Sequence, residues 1–256
     1  MASAAEKIEG SGSFKSSRGK VFGKLEQIFD DVWWAWGTTQ FMPGMHIPRN
    51  MVIVREKGEL VLIHPVVMPD PEQIKIDALG PVKHIVRLGA FHGMDDAKYV
   101  MRYSPSPKVW APANDPHDGV AVDHELVPGG DSPIEGATIF SFARAKKAEM
   151  AMLLPRHGGF LLTADSMQNW ENAPGLSLLA KIMVRPMGFK GRGCIGPAWR
   201  KECEPKDGEG FAPDFARLLD LDFKHGIGGH GRPMIATAKS DLRTQAEKVY
   251  PSLRKG

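Results

Sequence analysis

Two cysteines, Cys194 and Cys203, are all that the 256 residues contain. So few thiols exclude a disulfide framework, and their spacing excludes a zinc knuckle; two free thiols in a reducing compartment is the plainer reading. Charge of one sign is scarce too. The 33 basic and 30 acidic residues leave a formal +3, which is no electrostatic footprint for a polyanionic partner, and a nucleic-acid-processing role is disfavoured. No apolar run approaches the ~20 residues of a membrane span. The first 20 residues, rich in Ser, Gly, Ala and Lys, lack the apolar stretch of a secretory signal. They are expected to form a disordered tail, and the chain is expected to be cytoplasmic. No internal repeat of short fixed period is visible.

What remains is an ordinary globular composition, 42% hydrophobic and 25% charged. A chain of this size buries a sizeable core without help from disulfides or a structural metal. Residues 21–256 are read as a single domain.

The aromatic-rich run Val32–Gly37 predicts a strand, and Pro43, Gly44 and Pro48 predict a loop after it. Asn50–Arg55 and Leu60–His64 predict a hairpin across a four-residue turn, Glu56–Glu59. Asp70-Pro71-Glu72 opens a helix with Ile74, Ile76 and Leu79 on its inner side. A strand over Val82–Leu88 follows, then a helix over Asp95–Tyr103 capped by an aspartate, then a strand at Lys108–Ala111. This alternation predicts crossover units in a layered α/β domain. The Pro/Gly/Asp-rich passage 112–136 reads as a separator, and turn chemistry accounts for His117 within it.

The second half predicts strands at Ala137–Phe142, Glu149–Leu154 and Phe160–Asp165, with Gly158-Gly159 making a hairpin. Helices are expected over 174–183 (Leu176, Leu179 and Ile182 on one side), 213–219 and 241–249, while 187–210 has no firm period. Trp33, Trp34 and Trp36 read as core or sheet surface. The basic residues Arg185, Lys190, Arg192, Arg200, Lys201 and Lys206, interrupted by Glu202 and Glu204, read as a solvated face.

Reactive groups in such domains stand on loops at strand ends. His64, His92 and Asp165 each follow a strand, and His230 sits in Gly228-Gly229-His230-Gly231. The order of "LVLIHPV", "IVRLGAFHGMDD", "GFLLTADS" and "GIGGHGRP" resembles the metallo-β-lactamase superfamily over roughly residues 30 to 250. More narrowly it resembles a branch in which a strand ends His-x-Pro and the metal motif is eroded. The resemblance implies a four-layer αββα sandwich with a site at the seam of two halves. There, two zinc ions are usually held by a His-x-His-x-Asp-His loop, a later His, a bridging Asp and a final His. It also implies attack by metal-activated water on a small ester, lactone or related substrate.

The sequence departs from that pattern. The loop 87–96 offers one histidine, His92, and 144–147 offers cations where the later imidazole belongs. Asp165 matches the bridging Asp and His230 the final His, while His64 stands where an Asp is common. What remains is at most a single-metal set, His92, Asp165 and His230, for one divalent ion, zinc by donor type, with Asp95 or Asp96 orienting a bound water. The alternative is a metal-free relative that keeps the fold as a binding or scaffold module. Each residue also has a plainer role: His64 as a turn histidine, Asp95 or Asp96 as a helix cap, Asp165 as the cap of the turn at Ser166.

Overall fold

The structure is a computed structural model that describes residues 21–113 and 120–255. The predicted tail and His117 lie outside the described residues. The first half builds β1 (Glu26–Phe29), β2 (Val32–Met42), β3 (Met45–Glu56), β4 (Glu59–Ile63), α1 (Asp70–Asp77), β5 (Val82–Val86), α2 (Asp96–Arg102), β6 (Lys108–Pro112) and β7 (His124–Leu126). Their strands form one sheet in the order β1-β2-β3-β4-β5-β6-β7. It is antiparallel from β1 to β4 and parallel from β4 to β7. The second half builds β8 (Thr138–Ser141), β9 (Met150–Leu154), β10 (Phe160–Thr163), α3 (Leu178–Met183), α4 (Pro197–Cys203), α5 (Ala212–Asp220), β11 (His225–Ile227) and α6 (Ala238–Val249). Its sheet has the order β11-β10-β9-β8.

Strand alternation makes the layers. In β4, Val61 and Ile63 meet Met152 of β9 and Leu162 of β10 in a core between the sheets. Leu60 and Leu62 face the other way, onto Ile76 of α1 and Tyr99 of α2. In β10, Phe160 and Leu162 face inward, whereas Leu161 packs against Trp199 of α4, Phe215 of α5 and Leu242 of α6. A two-residue side-chain period buried on both faces therefore yields helix, sheet, sheet, helix, the expected αββα sandwich.

Local readings needed correction where tertiary context outweighed sequence punctuation. Pro48 lies inside β3, paired with Thr38, and not in a loop. Pairing of β3 with β4 begins only at Val52, so β3 is an edge at Pro48, where a residue with no N–H is tolerated. The hairpin turn is two residues, Lys57-Gly58, both at positive φ, because Glu56 and Glu59 still pair. Ile74 of α1 is exposed, and its buried face is Gln73 and Ile76. Helix α3 starts only at Leu178, where the Ser177 hydroxyl accepts from the Ala180 N–H; it buries Ala180 and leaves Leu179 and Ile182 exposed. The separator contains β7, and the unperiodic 187–210 contains α4.

The two sheets are stitched together at one end. The Met150 N–H bonds to the Leu88 carbonyl (2.7 Å), and Ala90 N–H to Ala148 (3.0 Å). From the other side, Asn50 N–H bonds to the Gly229 carbonyl (2.8 Å). The Asn50 amide also donates to Gly228 (2.8 Å) and Gly231 (2.6 Å), while its carbonyl accepts from the Trp34 indole (3.0 Å). The loops after β5, β10 and β11 are thereby brought to one seam. Among the described residues, no helix is long and apolar enough to cross a membrane.

Candidate metal centre

His92, Asp165 and His230 meet at that seam, with one ligand atom from each lying within 4.8 Å of the others. His92 Nε2 is 3.4 Å from Asp165 Oδ2, and His230 Nε2 is 3.3 Å from Asp165 Oδ1. Three neighbours fix the orientations. His230 Nδ1–H donates to the Pro48 carbonyl (2.6 Å), so its Nε2 is the atom turned toward Asp165. Gln168 Nε2 donates to Asp165 Oδ1 (2.7 Å), and the Gln168 carbonyl in turn accepts from the Trp170 indole (2.6 Å). Trp170 stacks on the His230 ring at 5.7 Å.

Electrostatics favour an ionised centre. Burial alone would raise the Asp165 carboxyl, but the imidazoles of His92 and His230 outweigh it and hold the carboxylate well below its usual range. Beneath it lies a second carboxyl, that of Glu149, whose Oε1 accepts from the Asp165 N–H (2.8 Å) and Ser166 N–H (2.7 Å). Burial, and then the charge on Asp165, push Glu149 well above the normal carboxyl range. One carboxylate is thus kept charged and its neighbour is biased toward the neutral form.

The trio fits a divalent ion. Two ligand atoms about 2.0–2.1 Å from one tetrahedral ion stand about 3.3 Å apart. Asp165 Oδ2 stands 3.4 Å from His92 and Oδ1 3.3 Å from His230, and one atom from each residue lies within 4.8 Å of the others, so a modest closing of the side chains would bring all three onto one ion. Two imidazole nitrogens and a carboxylate oxygen are a zinc-type donor set that leaves a position open. An imidazole whose other nitrogen donates to a carbonyl is the usual supporting arrangement for a metal-binding histidine.

Solved structures share this architecture. The metallo-β-lactamase of Pontibacter korlensis superposes with a TM-score of 0.59 at 15% identity, over 89% of this chain and 99% of that one. FIM-1 from Pseudomonas aeruginosa, in its mono-zinc form, gives 0.58 at 15% over 90% and 97%. DIM-1 exposed to ceftazidime gives 0.58 at 12% over 90% and 99%. The chain has the metallo-β-lactamase fold. No family model and no curated protein matches it in sequence.

Within this fold, the other sequence-predicted residues take different places. His64 leaves β4 at φ 53°, and its Nε2 accepts from the Leu88 N–H (3.0 Å). Burial, and then the His92 ring 4.7 Å away, hold His64 well below the usual imidazole value. It is a turn histidine that braces the strand leading to His92. Asp95 and Asp96 correct the expectation that one of them orients a water. Asp95 is ion-paired with Arg49 and Lys98 and accepts from the Val67 N–H, and Asp96 is ion-paired with Arg87. Asp95 occupies the N-cap position of α2 without making the cap bond, because its oxygens face those cations. Neither side chain lines the pocket beside the triad.

Glu149, Gln168, Asn50 and Trp170 were not foreseen. Attention to strand C-terminal ends passes over Glu149, which precedes β9; β9 runs antiparallel to β10, so its start lies beside the end of β10 that presents Asp165. The glycines around His230 are required by close packing. A Cβ on Gly231 or Gly228 would stand 1.5 or 1.7 Å from the carbonyls of Asn169 and Met167, and one on Gly229 would stand 2.2 Å from His92 Cε1. Gly229→Ala is therefore expected to push the His92 ring from its seat, at a cost of about 1–3 kcal/mol for overpacking. Chemical denaturation would read the stability loss. An equally stable variant with an unperturbed His92 imidazole resonance would contradict the tight packing described.

Proposed function

We propose that the protein is a hydrolase that takes one divalent ion, zinc by donor type, on His92, Asp165 and His230, and cleaves an ester, lactone or related small molecule with metal-activated water. The observation that carries this reading is the convergence of two histidines and an aspartate from three separate loops, with one ligand atom of each within 4.8 Å of the others and His230 already oriented by Pro48. When bound, such an ion lowers the pKa of a coordinated water toward neutrality and makes it a nucleophile. The chain's own residues set the conditions. The Pro48 carbonyl selects the His230 tautomer, Gln168 holds Asp165 Oδ1 so that Oδ2 is the less encumbered oxygen, and Phe41, Ile47, Phe91 and Phe189 give the adjoining pocket apolar walls. FIM-1, solved in its mono-zinc form, is a precedent in this fold for a single ion. Support for two ions is lacking, because the loop holding His92 and the bend at 144–147 bring no further imidazole.

A metal-free binding module is the competing reading. It is favoured by the way Asp165 already sits between two imidazoles and an amide, a set that satisfies its own charge. Metal analysis of the purified protein separates the two: about one equivalent of zinc, iron or manganese supports the hydrolase, and a substoichiometric content after reconstitution supports the module. Trp170 supplies an optical readout. Titrating zinc into stripped protein is expected to change tryptophan emission with a one-to-one endpoint, and Trp170→Phe is expected to remove most of that change. A response undiminished in the variant would place the ion elsewhere.

A further inference from the structure

The pocket beside the triad has a volume of about 240 Å³. Its walls are Phe41 and Ile47 from β2 and β3, Phe91 and Met94 from the loop that carries His92, and Phe189 and Trp199 from the segment ending in α4. The charge inventory is as informative as the apolar lining. Arg49 is the one guanidinium or ammonium among the lining residues, and it is buried and ion-paired with Asp95. Glu202, at the rim, is exposed and paired with Lys147 (3.0 Å). A carboxylate or phosphate seated among these walls would give up its water without gaining an unpaired cation. A methylene chain would gain about fourfold in affinity for each fully buried CH₂.

From this balance we infer that the pocket takes an uncharged substrate with an aliphatic or aromatic tail, a neutral acyl compound, and discriminates against ligands whose tail bears an anion. The inference rests on the hydrolase reading for the bond that is cleaved, and on the pocket alone for the tail that is held.

The test uses zinc-loaded protein and uncleaved amides, read by calorimetry. Butanamide, hexanamide and octanamide form a series of rising tail length, and 8-amino-8-oxooctanoate repeats the last with a carboxylate at the far end, remote from the ion. Octanamide is expected to bind at least tenfold more tightly than butanamide, and at least tenfold more tightly than 8-amino-8-oxooctanoate. Phe41→Ser, at a half-buried wall position, is expected to compress the octanamide-to-butanamide ratio. Equal affinities along the series, or equal or tighter binding of the anionic amide, would overturn the inference. Hydrolysis of p-nitrophenyl butyrate and octanoate is measured in parallel. Cleavage of neither, with the amide pattern intact, counts against the hydrolase and leaves the tail selectivity standing; cleavage of both with no preference between amides does the reverse.

Discussion

Asp165→Ala is expected to leave a folded protein that no longer holds stoichiometric zinc, with the dissociation constant weakened on the order of 100-fold or more. The scale comes from comparison with residues that only orient ligands, whose loss costs roughly 10–100-fold in metal affinity. Asp165 lies between both imidazoles and carries the only carboxylate of the trio, so its removal takes away both a donor and the charge that balances the ion. Gln168→Ala leaves every donor of the trio in place and removes only supporting hydrogen bonds, the one to Oδ1 and the one from the Trp170 indole, so it belongs in the milder range. The ordering of the two variants is itself informative. Equilibrium dialysis against a competing chelator would measure both constants. Should Asp165→Ala retain a full equivalent of zinc with near-native affinity, the ion is held by other groups and the proposed centre is wrong.

The legible part of this molecule was whatever depends on short-range pattern. The unbroken apolar run Leu60–Ile63 announces a doubly buried strand, and it lies between the inter-sheet core on one face and α1 and α2 on the other. The strand-end rule picked out His92 and Asp165, and the glycine-flanked loop and the resemblance added His230; lying 73 and 138 residues after His92, the other two reach it only because two sheets close on one seam. What stayed hidden depends on the partner across that seam. Pro48 reads as a loop breaker until the limited reach of β4 is known, and its carbonyl is then the group that orients His230. Glu149 follows a basic bend and looks like one more solvated charge, yet it is nearly fully buried beneath Asp165. Leu179 and Ile182 show the converse failure. Helical spacing places them on one side but cannot say whether a neighbour covers that side, and among the described residues both stay exposed.

Asp95 and Asp96 show how sequence order can suggest chemistry where the fold has placed an ion pair, and Asp96 gives a decisive measurement. Arg87 and Asp96 are both fully buried, nine positions apart, and their salt bridge closes the loop that carries His92. Asp96→Ala leaves the Arg87 guanidinium in the interior without that carboxylate, a change that typically costs about 3–5 kcal/mol. Replacing both members with apolar side chains, Arg87→Met with Asp96→Leu, removes the charge along with its partner and is expected to recover most of that loss. Denaturant unfolding of metal-stripped protein is the appropriate measurement, because a bound ion would add its own stabilisation to the folded state. The double variant is expected to fold near native stability and yet bind zinc more weakly than the native chain, since the loop holding His92 then lacks its charged closure. A cost below about 1 kcal/mol for Asp96→Ala, in the range of an exposed pair, would mean that the carboxylate is not committed to Arg87. A loss of turnover at unchanged stability would return Asp96 to the water-orienting role that its place in the sequence suggests.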